Sequence, residues 1–497
     1  MEIAKLVSMN PWWRDPGLVE NDPHFRSYRS SRIKWRPRIM AFFDLEKDRV
    51  YTLRGPRQVG KTTLIKLFIA DLLKNGKNPL AVFYFSCDAI SEHTELEEVV
   101  TQYLEYSERL ASPERRYIFI DEISSLKSWE RAIKILADSG RLVGSCLILT
   151  GSHCLDLKYS VERLPGRRGE AEEPLNKILV PMKFSEYVET VNPGLSKEVY
   201  KFLPLKREAR FNILFDLFRG EPDQEVMDRM VLYQDDLRGL LDNYLLTGGI
   251  MRAINGYYLR GGPKSIDLGV YEIYVRSLVG DLARWGYQER FAKQVLRAVI
   301  DKMTTRVSLS AIAKETEIGS HNTVSDYLSA LENSYVLSVL YQLKLEEKAA
   351  DYRREKKIYL SDPLIYHALR GWVRGSSNYF QTSQELVDDD TEKSKLMEMI
   401  VLGHLLRCVY NLNPSDVFSH HEHLFFWRKK KTDREVDFVL KRGGELFPIE
   451  VKYQESVDRR DLANLFSFGR GLLISKNRFD VYKAYSTIPV ETFLMLV

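Results

Sequence analysis

The sequence predicts a multidomain α/β protein that opens with a parallel sheet and ends in a second, smaller α/β domain. Three observations support this fold class. A glycine-rich loop near residue 55 lies between a short apolar strand and an amphipathic helix, and two further apolar strands follow it. A β-hairpin near residue 440 carries paired acidic and basic residues. At 497 residues, the chain has room for about three domains of roughly 150 residues each.

The composition is typical of a globular protein. The hydrophobic fraction is 44%, the charged fraction is 29% and the formal net charge is +4, so any strongly basic surface has to be local. No apolar run is long enough to span a bilayer and no secretory signal is visible, so we expect a cytoplasmic protein without a membrane partner. The four cysteines form no CxxC pair, which predicts reduced thiols, no zinc site and no disulfide framework.

The stretch LRGPRQVGKTT predicts a phosphate-binding loop. It fits the pattern G-x-x-x-x-G-K-[ST], and it has the strand before it and the helix after it that this pattern requires. Backbone N–H groups and the helix N-terminus would surround the phosphates of ATP, Lys61 would reach the β- and γ-phosphates, and Thr62 would bind Mg²⁺. The predicted ATP-binding residues are Gly55, Pro56, Arg57, Gln58, Val59, Gly60, Lys61, Thr62 and Thr63.

Two apolar runs, LAVFYFSCD and RYIFIDEIS, are typical of buried parallel strands. The second run ends in Asp121 and Glu122 at the carboxyl edge of the sheet, where open α/β sheets bind their ligands. We predict that Asp121 holds Mg²⁺ through water and that Glu122 polarises the attacking water, which favours hydrolysis over simple binding. The alternative is that this acidic pair caps the following helix.

The run SCLILTGSH predicts a further strand that ends in polar residues. Thr150 and Ser152 are its candidate sensors of the γ-phosphate, and a helix cap is the alternative role for either residue. Arg167 and Arg168 follow in the sequence LPGRR. We predict that one of them, with Arg167 as the catalytic candidate, acts as an arginine finger within the chain or on a neighbouring subunit. A solvated basic turn is the alternative.

The motifs LRGPRQVGKTT, IFIDEIS, LILTGSH, LPGRR and PMKFSEY resemble those of archaeal and bacterial AAA-type ATPases whose C-terminal region is catalogued as a domain of unknown function. The N-terminal NPWW resembles the archaeal members, and His153 departs from their more usual small polar residue. The resemblance extends over nearly the whole chain. It implies an AAA+ ATPase with a helical lid and a homo-oligomer such as a ring. Trp12 and Trp13 are candidates for lining an adenine pocket, with plain packing as the alternative.

The middle of the chain predicts helices followed by a winged helix. Residues 195–292 have a helical pattern and correspond to the lid. Residues 307–343 predict a helix, a turn at Gly319, a second helix and an apolar β-ribbon, which together indicate a winged helix-turn-helix. The exposed end of its second helix carries short polar residues and no basic ones, so packing or protein contact is an even alternative to DNA binding.

The stretch REVDFVLKRGGELFPIEVKYQ predicts a β-hairpin with a Gly-Gly turn. Asp437, Glu450 and Lys452 would then lie close together, and Glu398 on an upstream helix would join the two other acids around Mg²⁺. This set resembles the PD-(D/E)xK nuclease fold, which is restriction-endonuclease-like, and implies a catalytic role for Lys452. The alternative is a surface salt bridge between Glu450 and Lys452.

A basic stretch next to the hairpin is the predicted DNA contact. Each phosphate that it neutralises would make DNA binding more sensitive to salt, whereas a solvated turn is the alternative. Its predicted DNA-binding residues are Arg428, Lys429, Lys430, Lys431 and Arg434.

Together these features divide the chain into an N-terminal segment with the ATPase (1–194), a helical lid (195–292), a winged helix (293–350) and a nuclease-like domain (351–497). The predicted function is a DNA-associated ATPase whose nucleotide state controls a C-terminal DNA-binding module, with DNA cleavage by that module left open. Branched or otherwise structured DNA is the candidate target, because the winged helix offers little base reading. The alternative is a nucleotide-dependent switch that acts on protein partners through an inactive, nuclease-like docking domain.

Overall fold

A computed structural model describes the chain except for residues 1, 152–165, 171–172, 260–263, 417 and 430–433. Ser152 and His153, as well as Lys430 and Lys431, therefore lie outside the described residues. The chain divides into two compact units. The first comprises Met1–Val180 with Pro414–Val417, and the second comprises Pro181–Asn413 with Phe418–Val497. Within the described ranges, no helix is both long and apolar enough to cross a bilayer.

The first unit is built on a five-stranded parallel sheet, as predicted. The order of the strands is β2-β3-β4-β1-β5, so the strand before the phosphate-binding loop lies inside the sheet. The strands are β1 (Arg49–Arg54), β2 (Val82–Ser86), β3 (Arg116–Asp121), β4 (Ser145–Gly151) and β5 (Asn176–Ile178). The α-helices are α1 (Ile3–Met9), α2 (Pro23–Ser30), α3 (Lys61–Lys74), α4 (His93–Ala111) and α5 (Trp129–Asp138). Short 3₁₀ helices lie at Pro11–Trp13, Pro16–Asn21, Arg38–Phe42, Pro79–Ala81, Cys87–Ala89 and Ile123–Ser125.

The strands of the first unit are apolar because they are buried. Every residue of β4 is buried, as is nearly every residue of β1 and β3. Unbroken apolar runs are expected for parallel strands covered on both faces. The two N-terminal tryptophans join this packing, because the indole Nε1 of Trp12 and that of Trp13 each donate to the Val82 carbonyl oxygen at 2.9 Å. The structure thus supports the packing alternative for this pair.

The second unit begins with a helical region that extends over most of the predicted lid. The α-helices of the whole second unit are α6 (Phe184–Val191), α7 (Pro193–Val199), α8 (Arg207–Leu217), α9 (Gln224–Leu232), α10 (Gln234–Thr247), α11 (Met251–Tyr257), α12 (Leu268–Arg284), α13 (Glu289–Asp301), α14 (Leu309–Lys314), α15 (His321–Asn333), α16 (Pro363–Arg374), α17 (Tyr379–Asp388), α18 (Asp390–Leu412) and α19 (Val490–Leu496). Short 3₁₀ helices lie at His420–Glu422 and Arg459–Phe468.

A nine-stranded sheet completes the second unit, in the order β13-β14-β12-β11-β10-β9-β7-β8-β6. Its strands are β6 (Arg306–Val307), β7 (Leu337–Lys344), β8 (Ala349–Leu360), β9 (Leu424–Arg428), β10 (Glu435–Arg442), β11 (Glu445–Lys452), β12 (Gly471–Ser475), β13 (Asp480–Tyr482) and β14 (Tyr485–Pro489). The ribbon β7–β8 follows α14 and α15, so the predicted order of helix, turn, helix and ribbon is present. The same ribbon joins the C-terminal sheet, because β7 pairs with β9 at Gln342 and Phe426.

The predicted C-terminal hairpin is confirmed. Strands β10 and β11 are antiparallel, and Arg442 pairs with Glu445 across the turn. Gly443 and Gly444 have φ angles of 55° and 81°. Two successive positive φ angles define the type I′ turn, which strongly favours glycine. The hairpin therefore fixes the register that brings Asp437 close to the end of β11.

Candidate functional site

The phosphate-binding loop has the backbone that its glycines permit. Gly55 has φ 153°, and a Cβ atom at this position would lie 1.9 Å from the Leu179 carbonyl oxygen. Gly60 has φ 101° and directly precedes α3. The buried Lys61 ammonium donates to the carbonyl oxygens of Gly55 at 2.9 Å and Pro56 at 3.1 Å. The loop therefore curves around the lysine, and its predicted residues do form one structural element.

Three hydroxyl groups converge on the buried Asp121 carboxylate. The Thr62 hydroxyl donates to Oδ2 at 2.8 Å, and the Thr150 hydroxyl bonds to Oδ1. The Tyr84 hydroxyl, which the sequence analysis missed, donates to Oδ2 at 3.1 Å. Burial is the largest cause that raises the pKa of Tyr84, and the nearby Asp121 adds to it, so the phenol keeps its proton and remains a donor. Tyr84 lies on β2 beside β3. Because it belongs to an apolar run that predicts a buried strand, nothing in the sequence indicates that its hydroxyl reaches an acid.

The neighbouring oxygens of Thr62 and Asp121 fit a Mg²⁺ ion. Hydroxyl and carboxylate oxygens are the ligand types that this ion prefers, and it also retains water. The 2.8 Å contact brings together two residues that are 59 positions apart in the chain. The structure thus places a predicted metal ligand of the loop directly against the predicted acid at the end of β3.

Glu122 is held in an unusual backbone conformation, with φ 51° and ψ 40°. Its N–H donates to the Thr150 hydroxyl at 3.2 Å. Its carboxylate lies 3.6 Å from the Arg57 guanidinium of the phosphate-binding loop. Left-handed backbone is uncommon for residues other than glycine and often marks functional sites. Glu122, the candidate water-polarising residue, is therefore positioned by Thr150 and by Arg57 of the loop.

The two arginines of the sequence LPGRR have different environments. Arg168 is buried and donates to the Val50 carbonyl oxygen at 3.0 Å and to Asn176 Oδ1 at 2.9 Å. Burial lowers its pKa to about 10, with Asp416 opposing the shift. These contacts anchor the segment to β1 and β5. Arg167 is partly exposed and forms a two-point ion pair with Asp138, so its role as an arginine finger stays a prediction.

A buried lysine lies beneath Tyr84. The Lys66 ammonium on α3 is 3.2 Å from the centre of the Tyr84 ring and 3.1 Å from Asp22 Oδ2. Burial lowers the pKa of Lys66, while Asp22 opposes that shift. The arrangement fixes the tyrosine ring through a cation–π contact. In the sequence, the only sign of this contact is a lysine in a largely apolar stretch of helix, which is weak evidence for a buried ammonium group.

In the second unit, Asp437 and Glu398 meet at a lysine that the sequence analysis missed. Lys357 on β8 is fully buried, and its ammonium lies 2.9 Å from Asp437, 3.4 Å from Glu398 and 2.8 Å from Glu435. The Tyr359 hydroxyl donates to the Glu398 carboxylate at 2.5 Å. Burial lowers the pKa of Lys357, but the surrounding acids, Asp437 foremost, raise it well above its usual value. Lys357 therefore keeps its positive charge among these acids.

Glu450 and Lys452 lie together on β11, as predicted. The Lys452 ammonium and the Asn464 amide both donate to Glu450 Oε1 at 3.0 Å. Glu450 is 2% exposed, and its Oε2 has no hydrogen-bond partner among the described residues. Burial and the nearby Asp437 raise the pKa of Glu450. The second oxygen of Asp437 accepts from the Val451 N–H at 3.0 Å, which joins the two strands at this point.

The acids predicted to hold Mg²⁺ in the second unit already have hydrogen-bond partners. Lys357 and the Val451 N–H already engage both oxygens of Asp437, and Tyr359 and Lys357 engage Glu398. Over the part of the chain that the structure describes, only Glu332, His420 and His421 bring three ligand atoms within 4.8 Å of one another. The Mg²⁺ role of Glu398, Asp437 and Glu450 therefore stays a prediction.

A basic groove of about 600 Å³ lies between the first residues of α14 and α15 and the strands β7, β8 and β9. Arg353 and Arg354 of the groove are exposed, and Arg428, one of the predicted DNA contacts, also lines it. One acid, Glu355, also lines the groove and lies 4.0 Å from Arg428, so basic residues still outnumber acidic ones. The other lining residues are Ser308, Leu309, Ser310, His321, Gln342, Tyr352 and Lys356. Elsewhere, the Lys429 N–H bonds to the Arg434 carbonyl oxygen at 2.9 Å, and the exposed Arg434 lies 3.5 Å from the Ala463 carbonyl oxygen.

Three parts of the chain match family models. Residues 47–188 match an AAA domain, residues 239–375 match a domain of unknown function (DUF8612), and residues 393–493 match another domain of unknown function (DUF4143). A comparison with curated proteins gave no match.

Similar solved structures include the Walker-type ATPase PABY2304 of Pyrococcus abyssi, at 14% identity over 65% of this chain and 91% of that chain, with a TM-score of 0.38. The Aeropyrum pernix ORC1 protein in complex with DNA is 14% identical over 72% of this chain and 90% of that chain, with a TM-score of 0.24. Cdc6p from Pyrobaculum aerophilum is 12% identical over 66% and 88%, with a TM-score of 0.23. The region that matches the AAA domain model, residues 47–188, contains the glycine-rich loop and Asp121, whose geometry is described above.

Proposed function

We propose that this protein is a DNA-associated ATPase in which the nucleotide state controls a DNA-binding module in the second unit. The observation that carries the ATPase part is the polar cluster at Asp121, where Thr62 and Thr150 meet one carboxylate. Such a cluster links the phosphate-binding loop to two different strands of the sheet. A change at the γ-phosphate would therefore reach β3 and β4 directly.

The residues of the site have separate proposed tasks in hydrolysis. Backbone N–H groups of the loop bind the phosphates, and Lys61 exchanges the carbonyl oxygens of Gly55 and Pro56 for anionic phosphate oxygens. Thr62 and Asp121 would hold Mg²⁺, which neutralises developing charge on the phosphates when bound. Glu122 orients the attacking water, and Arg57 keeps the Glu122 carboxylate near the loop. Assembly into a homo-oligomeric ring stays a prediction from the family resemblance.

The basic groove of the second unit is the proposed DNA contact. Arginine side chains match phosphate oxygens with paired N–H donors, and Arg353 and Arg354 are exposed on one side of the groove. The helix α15 begins at His321, which lines the same groove. We propose that these arginines contact phosphates and that the protein recognises the shape of DNA, with branched DNA as the candidate.

Charge reversal tests this contact. We expect the double variant Arg353→Glu, Arg354→Glu to bind DNA more weakly and with a shallower salt dependence, because each lost phosphate contact removes about 0.9 from the slope of log K against log salt. Fluorescence anisotropy with four-way-junction and linear DNA measures both quantities. The matched control is Arg229→Glu, Arg276→Glu, which changes the charge equally at two exposed helix positions. If the wild type fails to bind DNA at low salt, the switch acting on protein partners becomes the better account.

We further propose that the acidic site of the second unit supports DNA binding without cleavage. The Lys357 ammonium lies within 3.4 Å of Asp437, Glu398 and Glu435, so these three acids share one cationic partner that competes with a metal ion for their oxygens. We expect intact DNA after incubation of the wild type with Mg²⁺ or Mn²⁺, measured by gel electrophoresis. Breakage that disappears in Asp437→Asn, while ATP hydrolysis persists, would instead establish a metal-dependent nuclease.

A further inference from the structure

A cluster outside both sites brings two imidazoles to one carboxylate. Glu332 is near the end of α15, and His420 and His421 form the start of the 3₁₀ helix before β9. The Nε2 atom of His421 lies 3.2 Å from Glu332 Oε1, and that of His420 lies 3.4 Å from the same oxygen. The three ligand atoms all lie within 4.8 Å of one another.

These distances suit a tetrahedral metal centre. Ligands bound to zinc at about 2.0–2.1 Å stand roughly 3.3 Å apart along each edge of the tetrahedron. Two imidazole nitrogens and one carboxylate oxygen form a donor set that zinc and similar borderline transition metals accept, whereas Mg²⁺ and Ca²⁺ prefer oxygen alone. The three side chains are 17–20% exposed, so the cluster is sheltered but still accessible to water.

The surroundings hold the donors in place. The Val339 N–H donates to Glu332 Oε1 at 2.8 Å, and the Tyr341 ring packs against His421 with centres 4.9 Å apart. Both supporting residues belong to β7. Neighbours that orient first ligands commonly strengthen metal binding. The cluster therefore has a built environment of helix, 3₁₀ helix and strand, and is not a chance meeting of exposed side chains.

We propose that Glu332, His420 and His421 bind one transition-metal ion, with Zn²⁺ as the preferred occupant and water as the fourth ligand. This site goes beyond the ATPase function and does not depend on it. The ion would fasten α15, the second helix of the winged helix, to the segment that leads into β9. The cysteine pattern alone predicted no zinc site, because it takes no account of histidine and glutamate brought together by folding.

Zinc titration of the full-length, metal-stripped protein tests the proposal. We expect the wild type to bind Zn²⁺, to gain thermal stability from it, and to give the visible absorption of tetrahedral Co²⁺ when Co²⁺ is the probe. The double variant His420→Gln, His421→Gln should bind more than about 100-fold more weakly, since even outer-shell changes cost about 10- to 100-fold. Glu332→Gln should also lose the Co²⁺ absorption, while its amide oxygen still accepts from Val339.

The matched control is His423→Gln, because His423 lies two residues from His421 but stacks on Phe418. This variant should bind Zn²⁺ as the wild type does. Circular dichroism without metal establishes that each variant is folded. The proposal would be overturned if the wild type did not bind Zn²⁺, or if Glu332→Gln and the double histidine variant bound Zn²⁺ as tightly as the wild type. The imidazoles would then be only hydrogen-bond partners of Glu332.

Discussion

Asp121 is the residue at which the polar contacts of the nucleotide site meet. Its carboxylate accepts from Thr62 and Tyr84 and bonds to Thr150, and the backbone of the next residue, Glu122, donates to Thr150 as well. The motif pattern predicted Thr62, Asp121 and Thr150, since each ends a strand or begins a helix. It could not predict Tyr84, because whether a tyrosine hydroxyl reaches an acid depends on the pairing of β2 with β3.

Replacing Thr150 tests this arrangement of hydrogen bonds. Thr150→Val removes the hydroxyl that joins Asp121 to the Glu122 N–H and leaves that N–H without its acceptor. A lost partner of this kind costs about 1–3 kcal/mol, so we expect ATP turnover to fall about tenfold or more with little change in nucleotide affinity. Steady-state hydrolysis measures the first quantity and titration of a fluorescent nucleotide the second. Thr150→Ser keeps the hydroxyl and should retain most of the turnover; full activity of the valine variant would contradict the role of Thr150.

At the scale of elements, local sequence patterns predicted individual strands, helices and hairpins better than they predicted which of these elements pair with one another. The strand, loop and helix around Gly60 and the hairpin at Gly443 each follow from residues adjacent in sequence. The sequence predicts the ribbon β7–β8 as part of the winged helix alone, whereas β7 also pairs with β9. That pairing brings Lys357 on β8 to the acids of β10. Long-range pairing of this sort leaves no periodic signal in the sequence.

A further prediction concerns His404 on the helix α18. Its Nε2 accepts from the Phe184 N–H at 2.9 Å and its Nδ1 donates to the Ile400 carbonyl oxygen at 2.7 Å. This ring is neutral, because a proton on Nε2 would face another N–H. Burial is the largest cause that lowers the pKa of His404 well below its usual value, and Arg407 adds to the shift.

Acid should therefore loosen the packing of α18 on α6. The pKa of His404 is lower in the folded state than the value of about 6.5 in the unfolded chain, so its full contribution to stability is present above that pH. The contribution is lost as pH falls, by up to about 1.4 kcal/mol per pH unit. Hydrogen exchange of the α18 amides, corrected for intrinsic rates, should show this loss between about pH 6.5 and 5. His404→Gln should flatten the pH dependence of this exchange, whereas His24→Gln, at an exposed position, should not. Equal pH dependence in the wild type and both variants would contradict the role given to His404.

At the scale of the whole molecule, the two compact units contain the two sets of candidate functional residues. The first contains the phosphate-binding loop and Asp121, and the second contains the basic groove and the acidic site with Lys357. The net charge of +4 does not by itself indicate nucleic-acid binding, so the support for DNA binding comes from the local basic groove. We propose that ATP hydrolysis in the first unit responds to DNA bound by the second.

The most direct test is the rate of ATP hydrolysis in Mg²⁺ by the wild type and Glu122→Gln, with and without linear, single-stranded or four-way-junction DNA. We expect one DNA form to stimulate the wild type. Glu122→Gln should hydrolyse ATP at least about 10²-fold more slowly than the wild type, with or without DNA, because it lacks the carboxylate that orients the attacking water. Stimulation by four-way-junction DNA would also identify branched DNA as the target. A wild-type rate that is indifferent to every DNA form would contradict the account and favour a switch that acts on protein partners.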